Sequence, residues 1–197
     1  MRTAGSAQRS VRGVTLIELV VGTGITLLVL GACVGALAAS ARLVATLGAR
    51  AEVEDTAQLA AEAFRFDARR AGFDPTAAGV EGLAAALPDQ LTLQADLDAD
   101  GELDTGSEEV TRWLCATAPP RLSRIIGAQS LPVAAPVSRC GMRYFDASGS
   151  ELLPGAGGLD TAERARVRRV VLDFAVDPAS AGAAASRIVE VALRVTS

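Results

Sequence analysis

The pattern of apolar residues separates a hydrophobic N-terminal segment from a mixed remainder. Residues 1–13 are polar, and the run over 14–41 is apolar except for one charge, Glu18. About 20 consecutive apolar residues are enough for a helix to cross the hydrocarbon core of a bilayer. The leading 13 residues contain three arginines and no acid. By the positive-inside rule this predicts a cytoplasmic N-terminus, with the polar remainder outside the inner membrane.

Helical periodicity continues beyond the apolar run. Apolar residues recur at spacings of three and four and form one stripe: Val53, Ala57, Ala60, Phe64, Ala68 and Ala71. Asp67 and Arg70 stand three positions apart and would support the helix locally. Gly72 followed by Asp74-Pro75 is a stop signal. The pattern therefore predicts one helix from about Val14 to Ala71, the second half of which packs on a sheet.

The rest of the chain has the alternation typical of strands. The predicted strands lie at 91–93, 109–114, 142–145, 167–176 and 188–195. Asp146 to Gly149 reads as a tight turn, 152–161 as a glycine-rich surface loop, and Pro178 to Ser186 as the turn between the last two strands. These elements predict an α+β fold, with an antiparallel sheet packed on the helix.

Composition narrows the possible functions. Apolar residues make up 50 % of the chain but aromatic residues only 4 %, which indicates an Ala/Val/Leu-rich helix rather than a large aromatic core. The net charge is -4 and there is no histidine. An acidic chain without a dense basic patch is a poor candidate for nucleic-acid binding. Without histidine, triad-type catalysis and histidine-based zinc sites are excluded. We therefore do not expect an enzyme.

One segment of the polar part has the spacing of a cation site. Asp96, Asp98, Asp100 and Asp104 occupy positions 1, 3, 5 and 9 of an EF-hand-type loop, with Gly101 at position 6. Glu102 adds a further carboxylate, and such oxygen-only ligands favour Ca²⁺ over transition metals. Position 12 is Ser107 where a glutamate is expected, and Glu108 or Glu109 would have to substitute. The alternative is a solvated turn between two strands.

The cysteines divide between the two parts. Cys33 lies in the apolar run, where it would pack as a small hydrophobic residue. Cys115 and Cys140 lie in the polar part, and they could form a disulfide if that part is exported.

The start of the apolar run carries a family resemblance. The residues Arg12-Gly13-Val14-Thr15-Leu16-Ile17-Glu18-Leu19 resemble the class III prepilin signal of type IV pilins and type II secretion pseudopilins. In that family a prepilin peptidase cuts after the glycine and N-methylates the new first residue. The resemblance implies cleavage between Gly13 and Val14. It also implies that Glu18, the fifth mature residue, pairs with the N-terminal amine of a neighbouring subunit. Val14 departs from the usual first residue, which is phenylalanine.

Two other interpretations of the N-terminus remain open. A general secretory signal peptide could end at Ala36-Leu37-Ala38, although the apolar run is longer than such signals usually are and Glu18 would interrupt it. The second alternative is a membrane anchor that is not cleaved and in which Glu18 occurs by chance. Within the run, Gly31 and Gly35 form a small-xxx-small pair that would let another helix approach closely in lipid.

The order of the elements resembles that of the PilW-like minor pilins and the type II secretion pseudopilin J group. The resemblance includes the segment Arg143-Tyr144-Phe145-Asp146 and the two closing strands. The resemblance implies a pilin-like fold. Its parts are a leader over 1–13, a transmembrane and filament-core helix over 14–41, a periplasmic half of the helix over 42–72 and a β-rich domain over 73–197. It also implies partners, namely other pilin subunits, the prepilin peptidase, an inner-membrane assembly platform and the lipid bilayer.

The resulting hypothesis is a minor pilin that primes or caps a filament. The alternatives are a pseudopilin of a type II secretion system and a membrane-anchored calcium-dependent binding or adhesin domain.

Overall fold

The computed structural model describes residues 14–177 and 184–193. Its first element, α1 (Leu16–Arg70), is a helix of 55 residues. The prediction of one long N-terminal helix is thus confirmed. A boundary after Thr46 divides the chain into two compact units, each described by itself below.

The first unit contains the apolar part of α1. From Leu16 to Thr46 every side chain is exposed, including large apolar residues such as Leu28 and Leu37. Among the described residues α1 is the one helix long and apolar enough to cross a membrane. It is compatible with a single-pass anchor, and by length and composition a secretory signal sequence passes the same test.

The second unit contains the end of α1, two antiparallel sheets and a short helix. The five-stranded sheet follows chain order and comprises β1 (Leu83–Ala86), β2 (Gln90–Gln94), β3 (Val110–Thr117), β4 (Pro120–Ile126) and β5 (Gln129–Ala134). The four-stranded sheet has the order β7-β6-β8-β9 and comprises β6 (Val137–Phe145), β7 (Glu151–Leu152), β8 (Arg169–Val176) and β9 (Ala185–Ala192). The helix α2 (Thr161–Arg166) lies between β7 and β8 in sequence, and Asp160 and Glu163 form a capping box at its start.

The core of this unit lies where the second half of α1 meets the inner faces of the sheets. All six residues of the predicted apolar stripe are buried there: Val53, Ala57, Ala60, Phe64, Ala68 and Ala71. Small alanine side chains on this face let the helix backbone approach the sheet closely. Phe64 contacts Trp113 of β3 edge to face, with ring centroids 5.3 Å apart. The helix ends where Gly72 adopts a positive φ of 73°, a conformation that glycine takes without steric cost.

The two sheets are joined through the β1–β2 connection and a disulfide. The backbone N–H of Met142 on β6 donates to the carbonyl of Pro88 at 2.8 Å. The Tyr144 hydroxyl donates to the carbonyl of Leu87 at 2.7 Å. Burial of this phenol raises the pKa of Tyr144 well above its usual range. A disulfide between Cys115 and Cys140 links β3 to β6 and so crosses from one sheet to the other.

Several predicted elements need correction. A single sheet was expected, but the structure has two. The prediction was wrong because it missed four strands: β1, β4, β5 and β7. The segment 152–161 is not one loop: Leu152 closes β7 and Thr161 begins α2. Ser186 belongs to β9 rather than to the preceding turn, whereas residues 178–183 and Val195 lie outside the described residues. The tight turn from Asp146 to Gly149 is confirmed, with the N–H of Gly149 donating to the carbonyl of Asp146 at 3.1 Å.

A buried charged interaction fixes α1 on the five-stranded sheet. The Asp67 carboxylate accepts hydrogen bonds from Nε and Nη2 of Arg124 on β4 at 2.7 and 2.8 Å, and from Nε1 of Trp113 at 2.9 Å. These hydrogen bonds raise the pKa of Arg124 above its ordinary value. Arg70 pairs instead with Glu108 at 3.2 Å. The expected local pairing of Asp67 with Arg70 is therefore wrong, because the carboxylate faces the sheet.

We expect Asp67→Asn to destabilise the second unit by roughly 3 kcal/mol, because it leaves the half-buried Arg124 guanidinium with only the longer contact to exposed Glu108 at 3.8 Å. The matched control is Asp173→Asn, which removes a carboxylate from the exposed pair with Arg139 and should cost less than about 1 kcal/mol. The measurement is urea unfolding of the full chain in detergent micelles, followed by fluorescence of its one tryptophan. Equal losses in the two variants would show that the Asp67 contact does not determine stability.

Candidate functional site

The acidic loop between β2 and β3 folds around the side chain of Glu109. One carboxylate oxygen of Glu109 accepts from the backbone N–H of Leu97 at 2.8 Å and of Asp98 at 3.4 Å. The other accepts from the N–H of Asp104 at 2.8 Å. Glu109 is 4 % exposed, so these bonds are shielded from water. The last residue before β3 thus closes the loop upon itself.

Asp96 performs a similar function at the start of the loop. Its carboxylate accepts from the backbone N–H groups of Ala99 and Gly101, at 2.8 and 3.1 Å, and from the Thr76 hydroxyl at 3.0 Å. Ala99 and Gly101 both have positive φ, 65° and 81°, which turns the chain sharply enough for these contacts. Glycine takes this conformation readily, whereas an alanine there carries steric strain. Sequence reasoning missed Thr76, because nothing local indicates that a residue 20 positions earlier reaches the loop.

The loop brings three carboxylates together. Oxygens of Asp96, Asp98 and Glu109 lie within 4.8 Å of one another. Asp96 and Glu109 are buried and Asp98 is exposed. Of the predicted ligand set, the structure therefore groups Asp96 and Asp98, and Glu109 joins them. Asp100, Glu102 and Asp104 are exposed and lie outside this group.

The electrostatics of the group differ from one carboxylate to the next. Hydrogen bonds from the backbone N–H groups of Asp104 and Leu97 lower the pKa of Glu109 below its ordinary value. The N–H of Asp100 lowers the pKa of Asp98, but lost solvation and repulsion by neighbouring carboxylates outweigh it and raise that pKa. In the described part of the chain no arginine forms an ion pair with any of the three. Three carboxylates this close repel one another, and a cation bound between them would reduce that repulsion.

The donor set fits a hard divalent cation. All three groups offer oxygen, as Ca²⁺ and Mg²⁺ require. A carboxylate accepts about four hydrogen bonds or metal contacts. Asp96 and Glu109 each accept three hydrogen bonds, which leaves each a free lone pair, and Asp98 accepts one. Bound there, a cation would join the two ends of the loop and hold β2 and β3 in register.

The loop is also tied to the end of α1. Glu108, next to Glu109, accepts from Arg70 at 3.2 Å. The N–H of Gly72 donates to the carbonyl of Gln94 at 2.9 Å, and the N–H of Asp96 donates to that of Phe73 at 2.8 Å. The second end of the loop is therefore bonded to the last residue of the helix, and the first end to the residues that follow the helix.

At the start of α1 the predicted assembly residue has a local partner. The backbone N–H of Glu18 donates to Oγ1 of Thr15 at 3.3 Å, and the N–H of Thr15 approaches Oε2 of Glu18 at 3.5 Å. This is the arrangement of a capping box, in which Thr15 is the N-cap. Val14 is exposed, and Gly13 lies outside the described residues. In the described part of the chain no basic group forms an ion pair with Glu18.

The remaining predicted residues of the apolar run, Gly31, Cys33 and Gly35, are exposed. A Cβ built at Gly31 or at Gly35 would meet nothing within 4 Å, so both positions are open to another helix. Cys33 is free and exposed.

The comparisons with known proteins are negative. No protein-family model, no curated protein and no solved structure matches this chain.

We expect the full chain to bind Ca²⁺ through the three grouped carboxylates. Asp98→Asn should weaken binding about tenfold, because it removes a charged ligand while disturbing one backbone hydrogen bond. Glu102→Gln is the matched control, since its exposed carboxylate lies outside the group, and it should change the affinity less than about twofold. The measurement is calorimetric titration of the detergent-solubilised chain. Equal losses in both variants would favour the full run of acids as ligands, and absence of binding would leave a solvated turn.

Proposed function

We propose that this chain is a structural subunit of a type IV pilus-like filament, a minor pilin that primes or caps the filament. In this role it is inserted in the inner membrane by a single span, with its second unit in the periplasm before assembly. It acts by assembling with other subunits rather than by catalysis. The observation that carries the proposal is the position of Glu18 five residues after Gly13, at the start of an otherwise apolar run.

The energetics of Glu18 support a partner from outside the chain. A charged carboxylate in a membrane span costs on the order of 3 kcal/mol or more. The capping box supplies hydrogen bonds but no positive charge. The N-terminal amine of a neighbouring subunit, freed by cleavage after Gly13, would supply that charge. Gly31 and Gly35 would allow the helices of neighbouring subunits to pack closely.

The second unit is compatible with the role. A pilin-like subunit needs an exposed apolar helical segment followed in sequence by a folded domain. Here the second half of α1 is covered by the sheets on its alanine-rich face, while α1 up to Thr46 is exposed. The disulfide between Cys115 and Cys140 suits an exported domain, since disulfides form and persist in oxidising compartments.

Two alternative functions are retained. A pseudopilin of a type II secretion system would share the signal, the span and the assembly role, and only the machine would differ. A membrane-anchored calcium-dependent binding or adhesin domain is favoured by the carboxylate group of Asp96, Asp98 and Glu109.

The first prediction concerns the mature N-terminus. In cells with the prepilin peptidase, the membrane-bound chain should begin at N-methylated Val14, and in cells without it at Met1. Intact-mass measurement of the purified chain distinguishes these species. A chain that begins near Ala39 in both strains would identify an exported soluble protein, and a chain that begins at Met1 in both would identify an uncleaved anchor.

The second prediction separates the two roles of Glu18. Glu18→Gln keeps a side-chain oxygen that can accept from the Thr15 N–H but removes the charge, whereas Glu18→Ala removes both. If the charge pairs with a neighbouring amine, both variants should be processed normally, reach wild-type levels in the membrane and fail to enter filaments. The readout is the ratio of the subunit in sheared filaments to that in membranes. Wild-type incorporation of Glu18→Gln together with loss in Glu18→Ala would show that Glu18 only caps its own helix.

A further inference from the structure

The outer face of the five-stranded sheet carries positive charge without compensation. None of the strands β1 to β5 contains an aspartate or a glutamate, although the chain as a whole has a net charge of -4. Two arginines lie on the face turned away from α1: Arg112 on β3, between buried Thr111 and Trp113, and Arg121 on β4, beside buried Leu122. The third arginine of the sheet, Arg124, lies on the inner face with Asp67.

Neither outer arginine has an acceptor in the part of the chain that the structure describes. Among the described residues after Arg70, every other arginine donates to a carboxylate or to a backbone carbonyl, as Arg143 does to Glu151 and Arg169 to Glu190 on the four-stranded sheet. On the outer face of the five-stranded sheet, Nε of Arg121 is buried without a partner, and so is Oγ of Ser123, a residue only 1 % exposed. Buried polar groups without partners are rare in folded proteins. Both atoms are buried within the chain itself, so an external acceptor on this face can reach exposed Arg112 and the accessible part of half-buried Arg121.

The shape and spacing of the face suit a short acidic segment. Arg112 lines a surface cleft together with Thr92, Thr105, Val110, Ile125 and Gly127. Arg121 on β4 lies opposite Ala116 of β3, and Ala116 is four residues along β3 from Arg112. At about 3.4 Å per residue the two arginine backbones are roughly 14 Å apart. Two cations at this distance match two carboxylates separated by several residues of one segment.

The charge balance favours a protein carboxylate over a polyanion. Nucleic-acid binding needs many phosphate contacts, and two arginines on an acidic protein do not supply them. Attraction to anionic lipid amounts to about 1 kcal/mol per basic residue, too little here for stable docking. Arginine and carboxylate, in contrast, form geometrically matched bidentate pairs.

The chain itself carries the complementary segment. Asp98, Asp100, Glu102 and Asp104 are all exposed, and no arginine in the described residues pairs with them. Asp104 adjoins Thr105, which lines the cleft, yet it does not pair with Arg112 within one copy. We propose that the acidic loop of a second copy docks on this outer face, with its carboxylates on Arg112 and Arg121. Such a contact joins two different surfaces and can therefore repeat from copy to copy.

The inference does not depend on the proposed function, and the two can fail separately. Processing at Val14 tests the N-terminus, whereas docking of the loop is a property of the second unit. The experiment is sedimentation velocity of the full chain in detergent micelles, with a chelator present so that no cation neutralises the loop. We expect association that weakens about tenfold or more between 50 mM and 500 mM NaCl, because exposed charge pairs are screened by salt.

The substitutions separate this contact from association of the apolar helices. Arg112→Gln with Arg121→Gln should weaken self-association about fivefold or more, as expected for the loss of two exposed ion pairs. The matched control, Arg143→Gln with Arg169→Gln, removes the same charge from the four-stranded sheet and should leave association unchanged.

Charge reversal provides the decisive test. Arg112→Glu with Arg121→Glu, and separately Asp100→Arg with Asp104→Arg, should each abolish the salt-sensitive association. All four substitutions in one chain should restore it. Three results would overturn the proposal: a chain that stays monomeric, salt-insensitive association that the arginine variants do not weaken, or failure of the combined variant to recover while its thermal unfolding remains that of the wild type.

Discussion

The packing of the second unit depends on one carboxylate, that of Asp67. It is the only acidic residue of α1 that is buried in the described structure, and it accepts from Arg124 and Trp113 at once. Because these partners lie on adjacent strands, β3 and β4, the contact fixes both the rotation of α1 and the register of the sheet beneath it. The surrounding alanines give little directional information, since small apolar side chains pack acceptably in several rotations. The Asp67 carboxylate, in contrast, reaches Arg124 and Trp113 in few rotations of α1, and it therefore selects one of them.

The acidic loop is an extension of the same arrangement. Arg124 and Arg70 both approach Glu108, at 3.8 and 3.2 Å, and the next residue, Glu109, organises the loop. The end of the helix, the start of β3 and the candidate cation site thus form one continuous set of polar contacts. A cation held by Asp96, Asp98 and Glu109 would therefore stabilise more than a surface turn, because the first end of the loop is also bonded to Gly72 and Phe73 and the second end to Arg70.

At the other end of α1, the proposed function would give Glu18 two compatible uses. Its hydrogen bonds with Thr15 define where the helix begins, and they are available to a single subunit. They do not neutralise the charge, which would still need a cation if the helix spans a membrane. A residue that caps its own helix and also pairs with a neighbour would couple the start of the helix to assembly. The two uses differ in chemistry, since a cap needs an acceptor oxygen and a pair needs a negative charge.

The amino-acid sequence by itself determined the long helix, its buried stripe, the membrane-compatible span and the acidic loop. These are local patterns, set by periodicities of three to four residues and by the spacing of Asp and Gly. The tertiary structure alone decided that Asp67 pairs with Arg124 rather than with Arg70, that Thr76 reaches Asp96, and that Glu109 rather than Glu108 completes the carboxylate group. It also decided the division into two sheets, since β1 is alanine-rich and β4 and β5 carry arginine and proline, which obscure alternation. Each of these features depends on contacts between residues that are distant in sequence. Local sequence patterns do not show which distant residues come together.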